Sequence, residues 1–403
     1  MSGGKAPGAG GRIFFHVQHL LGIGHDRRAA AIARALDAAG LAVTVARGGH
    51  AVPGVDYGGA EIVPLPPARA ADASFKVLLD GAGRPIDDAW REARRTTLLN
   101  AFQRARPDLL LVESFPFARR AFRFELLPLI AAARAAGLPV AVSVRDILVA
   151  KPDPVRVEEV VRTVLDSVDL VLVHGDPALI PLDATFAAAD RIAGRIRYTG
   201  YVASPPAAAA GADAEANAGD GAGEVLVSVG GGAVGLPLLR AALAARPLSP
   251  AAALPWRLLA GPDVPDADVA ALAARARSMA VPATAPATIV ERARPDFPAL
   301  LRRCRLSISQ AGYNTVLDLL QAGCRALVVP FAAGSETEQA LRAGILADRG
   351  RLTVVDEATL TPDTLAAGIA RALALPPPAP LPLRLDGARE TARLLGRAIG
   401  RGG

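Results

Sequence analysis

The sequence predicts an α/β protein made of two doubly wound, Rossmann-like domains that face each other across a cleft. Short apolar runs alternate with longer amphipathic stretches along most of the chain, which is the pattern of parallel strands separated by helices. Residues 204–223 have no large apolar side chain, so we expect a flexible linker between two such portions. The length of 403 residues suffices for two domains, each with its own core.

The first domain is expected to span residues 12–203, after a disordered tail over residues 1–11. The apolar run that starts at Arg12 predicts the first strand, and the amphipathic stretch that starts at Asp26 predicts a helix that stops at Gly40. The same alternation continues up to the linker. It predicts strands over 12–17, 41–46, 109–112, 140–144 and 170–173, with helices near 90–105, 121–136 and 155–167.

The second domain is expected to span residues 224–380 and to repeat this pattern. Its clearest unit is a strand that ends at Ile308, a turn of small and polar residues, an amphipathic helix and a second strand over 326–330. An amphipathic tract within residues 381–403 predicts a last helix that packs back on the first domain. Further strands are predicted from 224, over 257–260 and near 287–290, with helices near 236–245 and 266–279.

Composition and charge narrow the classes of function. The formal charge is +6, but the arginines are spread along the chain without a basic block. This favours an enzyme that meets anionic ligands, or an anionic membrane face, over a nucleic-acid-binding protein. Cys304 and Cys324 are too few for a disulfide framework or a metal cluster and indicate a reducing, cytoplasmic setting. No run of about 18 uncharged apolar residues occurs, so any membrane contact is expected to be peripheral.

The turn after Ile308 is the strongest candidate for a ligand site. In a βαβ unit this turn lies at the carboxyl end of the strand, where the helix N-terminus directs free N–H groups at a bound anion such as a phosphate. Asp318 follows about one turn into the helix, where its carboxylate either accepts the two hydroxyls of a ribose or is an exposed helix acid. The small and polar residues of the turn and of the first helical turn are Ser309, Gly312, Asn314 and Thr315.

Two further stretches of the second domain contain candidate ligand residues. Glu338 and Gln339 come after the strand at 326–330, and their acid and amide groups suit a sugar or begin a solvated helix. Residues 230–235 match the glycine spacing of a dinucleotide loop, but a phosphate-binding or simply tight loop is favoured over a nicotinamide or flavin site. Asp266 and Asp268 resemble a metal-binding pair, yet they precede a helical stretch and fit charges at a helix N-terminus. No metal is required.

The first domain offers candidate catalytic and acceptor-binding residues at the ends of its strands. His25 lies at the turn between the first strand and the first helix, where it either acts as a general base or caps the helix. Glu113, Arg145 and Asp146 follow strands. We expect Glu113 and Arg145 to contact an acceptor and Asp146 to be an alternative base. Three arginines, Arg119, Arg120 and Arg123, either meet an anionic acceptor or, as we prefer, cover a helix surface.

These motifs together carry a family resemblance. Residues 307–339, with Ser-x-x-Gly-x-x-Thr-x-x-Asp followed by Pro-Phe and Glu-Gln, resemble the donor-binding half of GT-B glycosyltransferases, and the MurG-like family (glycosyltransferase family 28, C-terminal type) above all. The loop Leu20-Leu-Gly-Ile-Gly-His25 is similar to that family's glycine-rich loop ending in histidine. The segment Val229-Gly-Gly-Gly232 is similar to its second-domain phosphate loop.

The resemblance implies a nucleotide-sugar donor, UDP-linked, on the second domain and a hydroxyl acceptor, lipid-linked or a small molecule, on the first. It assigns the ribose to Asp318 and the catalytic centre to His25. Two departures weaken the expectation of uridine and N-acetylglucosamine: the family has glutamate at the position of Asp318, and its Gly-Asn-Pro-x-Arg segment is replaced by Thr199-Gly-Tyr-Val. It assigns the diphosphate to Gly231, Gly232, Ser309, Gly312 and Thr315, and the sugar to Glu338 and Gln339.

The expected reaction is an inverting, metal-independent sugar transfer without a cofactor. His25 or Asp146 deprotonates the acceptor hydroxyl, and backbone N–H groups with a helix dipole stabilise the departing nucleoside diphosphate. Two alternatives share these features: a nucleotide-sugar 2-epimerase and a non-catalytic nucleotide-sugar-binding protein. Release of nucleoside diphosphate only when an acceptor is present distinguishes transfer from both.

Overall fold

The computed structural model consists of two compact units. The first contains Met1–Ala203 and Leu383–Gly403, and the second contains Ser204–Pro382. Residues 1–9 of the expected tail and 204–218 of the expected linker lie outside the part of the chain that the structure describes. The described residues are 10–20, 24–50, 54–71, 77–148, 153–202, 219–229, 235–262, 264–279, 285–332, 338–376, 378 and 384–400.

The first unit contains the predicted strands and helices in the predicted order, with further short strands over 61–64, 69–70, 78–79 and 196–198. Two helices begin at recognisable caps: the Asp87 carboxylate accepts a hydrogen bond from the Trp90 N–H at 2.7 Å, and Asp153 caps a helix that opens with Pro154. The elements are β1 (Arg12–Val17), α1 (Gly24–Ala38), β2 (Ala42–Arg47), β3 (Glu61–Pro64), β4 (Arg69–Ala70), β5 (Leu78–Leu79), α2 (Asp88–Ala105), β6 (Leu109–Glu113), α3 (Arg123–Ala135), β7 (Val140–Arg145), α4 (Pro154–Ser167), β8 (Leu170–His174) and β9 (Ile196–Tyr198).

The second unit repeats the alternation around its own core. Asp266 and Asp268 lie in the first turn of a helix and pair with Arg292 and Arg240, which confirms that they are helix N-terminal charges. The elements are β10 (Val225–Ser228), α5 (Leu236–Ala245), β11 (Trp256–Ala260), α6 (Asp266–Ser278), β12 (Thr288–Arg292), α7 (Phe297–Arg303), β13 (Leu306–Ser309), α8 (Tyr313–Ala322), β14 (Ala326–Val328), α9 (Glu338–Asp348), β15 (Thr353–Val354) and α10 (Pro362–Ala374).

Both central sheets are parallel and reverse their strand order beside the first strand. The order is β3-β2-β1-β6-β7-β8-β9 in the first unit and β12-β11-β10-β13-β14-β15 in the second, which confirms two doubly wound sheets. Ligands of such sheets bind beyond the carboxyl ends of the strands, at the point where the order reverses. That point lies between β1 and β6 in one unit and between β10 and β13 in the other.

The C-terminal segment belongs to the first unit. Helix α11 (Gly387–Gly400) packs on α1, with Ala392 and Leu395 in the same apolar core as Ile32 and Leu36. The segment that leads into α11 lies beside the segment that follows β9, since the Tyr201 N–H donates to the Arg384 carbonyl at 2.6 Å. No described helix has the length and apolar character that crossing a bilayer needs.

The last residues of the expected linker, 219–223, pack against the second unit. The Asp220 carboxylate lies 2.9 Å from an Arg257 nitrogen and 2.6 Å from an Arg294 nitrogen. Arg257 is buried and also binds Glu224 at 2.7 Å, just before β10. These ion pairs attach the end of the predicted linker to the sheet, so the structured part of the second unit begins before residue 224.

Candidate functional site

The turn between β13 and α8 presents an uncapped helix N-terminus. Gly312 is the N-cap residue, with extended backbone angles of φ −62° and ψ 151°, and it has no side chain to accept the first helical N–H groups. Apart from its chain neighbours, no described residue has an atom within 4 Å of where a Cβ atom at Gly312 would lie. Helix N-termini of this kind attract anions through their N–H groups and dipole.

The predicted donor residues of α8 share the face of the helix that is turned away from the core. Tyr313, Val316 and Leu317 are buried, whereas Asn314 and Asp318, four residues apart, are half-buried on the other side. Thr315 is half-buried beside them. The structure therefore brings these three polar side chains together near the helix N-terminus, and their contact with a donor stays a prediction.

Ser309 ends β13, three residues before the N-cap residue of α8. Its side chain is buried, and its hydroxyl has no hydrogen-bond partner among the described residues. Leaving a buried hydroxyl unpaired costs about 1–3 kcal/mol, so a bound group that hydrogen-bonds to it would be stabilised. Gly231 and Gly232, the other predicted diphosphate contacts, lie outside the described residues.

Glu338 and Gln339, the predicted sugar contacts, form hydrogen bonds with other residues of the second unit. The amide oxygen of Gln339 accepts hydrogen bonds from the Ala311 N–H at 3.0 Å and the Phe331 N–H at 3.1 Å. The Glu338 carboxylate is buried and accepts a bond of 2.8 Å from Arg342. The Gln339 oxygen and one Glu338 oxygen therefore have partners within the second unit, and the contact of these two residues with a sugar stays a prediction.

His25 and Glu113 meet at the carboxyl edge of the first sheet. His25 is the second residue of α1, and Glu113 ends β6, the strand next to β1. The His25 Nδ1 atom lies 2.7 Å from the Glu113 Oε1 atom. Arg28, one turn further along α1, donates to the same Oε1 atom and lies 3.2 Å from His25 Nδ1.

These contacts determine which ring nitrogen of His25 carries the proton. A guanidinium can only donate and an ionised carboxylate can only accept, so Arg28 and His25 both donate to the shared Glu113 oxygen. The shorter distance from Nδ1 to the carboxylate assigns the hydrogen to Nδ1 and leaves the lone pair on Nε2. His25 therefore has the arrangement of a general base held by a carboxylate. The side chain of His25 is 15% exposed, whereas that of Glu113 is only 1% exposed.

Burial and neighbouring charges set the protonation states of this pair. Burial lowers the pKa of His25 to about 3, against the raising effect of Glu113, and the cations Arg119 and Arg145 lower it further. Burial alone would raise the pKa of Glu113, but His25, Arg28 and Arg119 outweigh it and hold that pKa well below the ordinary range. At neutral pH the imidazole is thus uncharged and the carboxylate is ionised.

Three expectations about the first unit need correction. Glu113 does not face an acceptor, because its buried carboxylate supports His25 from behind. Asp146 follows β7 but is fully buried against Gly175, so His25 is the better placed base. Arg119 does not cover a helix surface: its Nε–H donates to the Gln18 carbonyl at 2.8 Å, and its charge acts on Glu113. Arg145 ends β7, and its charge reaches His25.

A second buried histidine stands in a directed hydrogen-bond chain. The Thr199 hydroxyl donates to the Gly200 carbonyl at 2.8 Å, so it accepts the bond of 2.9 Å from His174 Nδ1. His174 Nε2 then accepts from the Ser143 hydroxyl at 2.8 Å. Burial lowers the pKa of His174 to about 3, with Arg28 as a second cause. His174 is therefore neutral at physiological pH and fixes the ends of β7 and β8.

The lowered pKa values of His25 and His174 predict a loss of stability in mild acid. An unfolded histidine titrates near pH 6.5, so below that pH the unfolded chain binds protons that the folded chain excludes. The contribution of these two histidines to the free energy of unfolding is fully present above about pH 6.5. It should fall by about 1–2 kcal/mol per histidine between pH 6.5 and 5. Urea unfolding across this range measures it. The His174→Asn variant should show a shallower slope, and an unchanged slope would contradict the assignment.

Arg28 and Arg342 are the site residues that the sequence did not reveal. Arg28 follows His25 by three positions, a helical spacing that could have suggested the contact, but its acceptor is 85 residues away. Arg342 follows Glu338 by four positions, which is a visible ion-pair spacing. Among the described residues, no group of three or more His, Cys, Asp or Glu is placed to hold a metal ion.

Comparison with known proteins identifies a domain in the second unit. Residues 284–380 match the family described as Glycosyltransferase family 28 C-terminal domain. Over 99 residues the chain is 34% identical to UDP-N-acetylglucosamine--N-acetylmuramyl-(pentapeptide) pyrophosphoryl-undecaprenol N-acetylglucosamine transferase of Rhodopseudomonas palustris (strain HaA2). This match covers 25% of the chain and 26% of the relative, so the chain matches about a quarter of the relative's length.

Solved structures resemble the chain over almost its whole length. MurG of Acinetobacter baumannii superposes with a TM-score of 0.55 at 15% identity, covering 97% of this chain and 99% of that chain. Spinosyn rhamnosyltransferase SpnG, complexed with thymidine diphosphate, superposes with a TM-score of 0.55 at 19% identity, covering 97% and 96%. These likenesses confirm the predicted fold. The chain has the GT-B fold and carries, over residues 284–380, the predicted glycosyltransferase family 28 C-terminal domain.

Proposed function

We propose that the chain is a glycosyltransferase that moves a sugar from a nucleoside-diphosphate sugar to a hydroxyl group of an acceptor. The observation that carries the proposal is the His25–Glu113 pair, with its Nδ1 to Oε1 distance of 2.7 Å. It leaves Nε2 of a neutral, partly exposed imidazole free to take a proton, which a pure binding protein would not need. The family 28 domain of the second unit supplies the matching donor side.

The donor is proposed to bind the second unit through its diphosphate. The uncapped N-terminus of α8, with Ser309, Gly312 and Thr315, suits the two phosphates, and Gly231 and Gly232 are proposed to complete this contact. Asp318 is proposed to bind the ribose and Asn314 to lie beside it. The Rhodopseudomonas relative is named for UDP-N-acetylglucosamine and the SpnG structure contains thymidine diphosphate. Both support a pyrimidine nucleotide, and we favour a UDP-linked hexose or N-acetylhexosamine.

The proposed reaction is a direct displacement with inversion at the anomeric carbon. His25 Nε2 removes the proton of the acceptor hydroxyl, and the oxygen forms a bond to the anomeric carbon. The bond from that carbon to the diphosphate breaks, and its electron pair leaves with the nucleoside diphosphate. The N–H groups and dipole of α8 stabilise the added negative charge, so the proposed reaction needs no metal.

The acceptor is proposed to carry an anionic group near its reactive hydroxyl. Arg28 is paired with Glu113, whereas Arg119 and Arg145 add two more cations whose charges reach His25. Cations whose charges reach the proposed base favour an acceptor with a phosphate or carboxylate. The name of the Rhodopseudomonas relative includes a pyrophosphoryl-undecaprenol acceptor. An acceptor of that kind would bring the protein to the cytoplasmic membrane surface.

The first test is the melting temperature of the purified chain against UDP- and TDP-linked sugars. A ligand that binds only the folded state raises this temperature by mass action. The nucleotide sugar that raises it is then incubated with and without candidate acceptors, including a polyprenyl diphosphate sugar. Release of nucleoside diphosphate only with acceptor supports transfer. Release without acceptor together with a free epimerised sugar indicates an epimerase, and binding without turnover under every acceptor indicates a binding protein.

A further inference from the structure

The first turn of α9 holds the chain where β13 and β14 end. The single amide oxygen of Gln339 accepts from the Ala311 N–H at 3.0 Å and from the Phe331 N–H at 3.1 Å. Ala311 is the second residue after β13, and Phe331 is the third residue after β14. One side chain therefore extends the connection between two neighbouring strands beyond the last hydrogen bond of the sheet.

Arg342 holds the same turn from the next turn of α9. Its Nη1 group donates to the Ala311 carbonyl at 3.4 Å, a long bond, and its Nη2 group donates to Glu338 at 2.8 Å. The guanidinium carbon also lies 5.5 Å from the ring centroid of Tyr313, the first residue of α8. Gln339 and Arg342 thus bind the N–H and the C=O of one residue, Ala311.

The position of Ala311 matters because Gly312 comes next and caps α8. A rotation of the peptide between these two residues would redirect the first N–H groups of the helix. A displacement of about 1 Å in a group that positions a substrate can lower the reaction rate about 100-fold. Arg342 is only 2% exposed, and burying its charge is tolerated because Glu338, 4% exposed, pairs with it. Such a charge pair fixes orientation more than it adds stability.

We infer that Arg342 is a positioning residue of the donor site. Together with Gln339 it acts through the main chain of Ala311 to hold the N-terminus of α8 in the orientation that binds the diphosphate. Glu338 is the charge partner of Arg342 in this arrangement. The inference rests on the proposed donor site, and it adds Arg342 as a residue that acts on this site through the main chain of Ala311.

The test compares two buried arginines of the second unit. Arg342→Met should raise the Kd of UDP or TDP by about 10- to 100-fold, while the Kd of uridine or thymidine changes less than about twofold. The control is Arg246→Met. Arg246 is equally buried, but it binds the Leu254 and Pro286 carbonyls, before β11 and β12, at the opposite edge of the sheet. The Arg246→Met variant should be less stable than wild type, but its affinity for the nucleoside diphosphate should not fall selectively. Isothermal titration of the full chain, at a temperature where each variant is folded, gives these constants.

Two more measurements keep the inference testable if a variant folds poorly or no nucleotide binds. Arg342→Lys keeps the charge but cannot hold Ala311 and Glu338 at once, so its Kd for the nucleoside diphosphate should lie between wild type and Arg342→Met. Hydrogen exchange of the peptide that contains Ala311 should be at least about tenfold faster in Arg342→Lys than in wild type, with or without a ligand.

The outcomes separate this inference from the proposed function. If wild type binds no nucleoside diphosphate, the proposed donor site fails, and the exchange rate at Ala311 alone decides whether Arg342 positions the turn. If wild type binds but Arg342→Met binds as tightly, or if Arg246→Met loses as much diphosphate affinity, the inference is overturned. Equal losses for nucleoside and nucleoside diphosphate would also overturn it, because they indicate a general loss of structure.

Discussion

Replacing His25 with alanine is expected to lower kcat by about 100- to 10,000-fold. The expectation follows from the hydrogen bond of 2.7 Å between Nδ1 and Glu113, which leaves Nε2 as the proton-accepting atom. An acceptor hydroxyl without a base must lose its proton to water during the attack, which is slower. The Kd of the nucleoside diphosphate should not change, since His25 belongs to the first unit and the proposed diphosphate contacts belong to the second.

The measurement is acceptor-dependent release of nucleoside diphosphate under saturating donor. His50→Ala is the matched control, because His50 is an exposed histidine of the same unit. It should retain the wild-type kcat. A His25→Ala enzyme that keeps more than about a tenth of the wild-type kcat would exclude His25 as the general base.

The turn between β13 and α8 was predictable because its signals are local. A buried strand, a glycine N-cap and an amphipathic helix follow one another within residues 306–322, and hydrophobic periodicity shows such an order directly. The doubly wound class was predictable for the same reason, since most strands and helices are long enough to show their period. The edge strands β3, β9 and β15 were not predicted, because four, three and two residues are too short for a period.

The partners of the site residues were not predictable from spacing. His25 was a candidate because it follows the first strand, but Glu113 lies 88 positions away and meets it only because β6 pairs with β1. Burial also changed roles that residue type suggested. Asp146 follows a strand like a catalytic acid and is fully buried, whereas Arg119, expected on a surface, donates to the Gln18 carbonyl.

Replacing Glu113 with glutamine is expected to lower both activity and stability. Glu113 provides the negative charge that offsets Arg28 and, once His25 has taken the proton, the imidazolium. Without that charge the imidazolium is less stable, and kcat should fall by about 100- to 1,000-fold. Arg28 is buried and would be left unpaired, so the free energy of unfolding should fall by about 3 kcal/mol.

The double variant Arg28→Met/Glu113→Gln separates these two effects. It removes Arg28 together with the carboxylate that Arg28 binds, so its stability in denaturant should return toward that of wild type, because a buried pair is often replaced at little cost. Its kcat should stay low, because the protonated His25 still lacks a counter-ion. Recovery of stability without activity would identify Glu113 as the residue that supports the base. If kcat returned together with stability, Glu113 would serve only to neutralise Arg28, and His25 would work without its carboxylate.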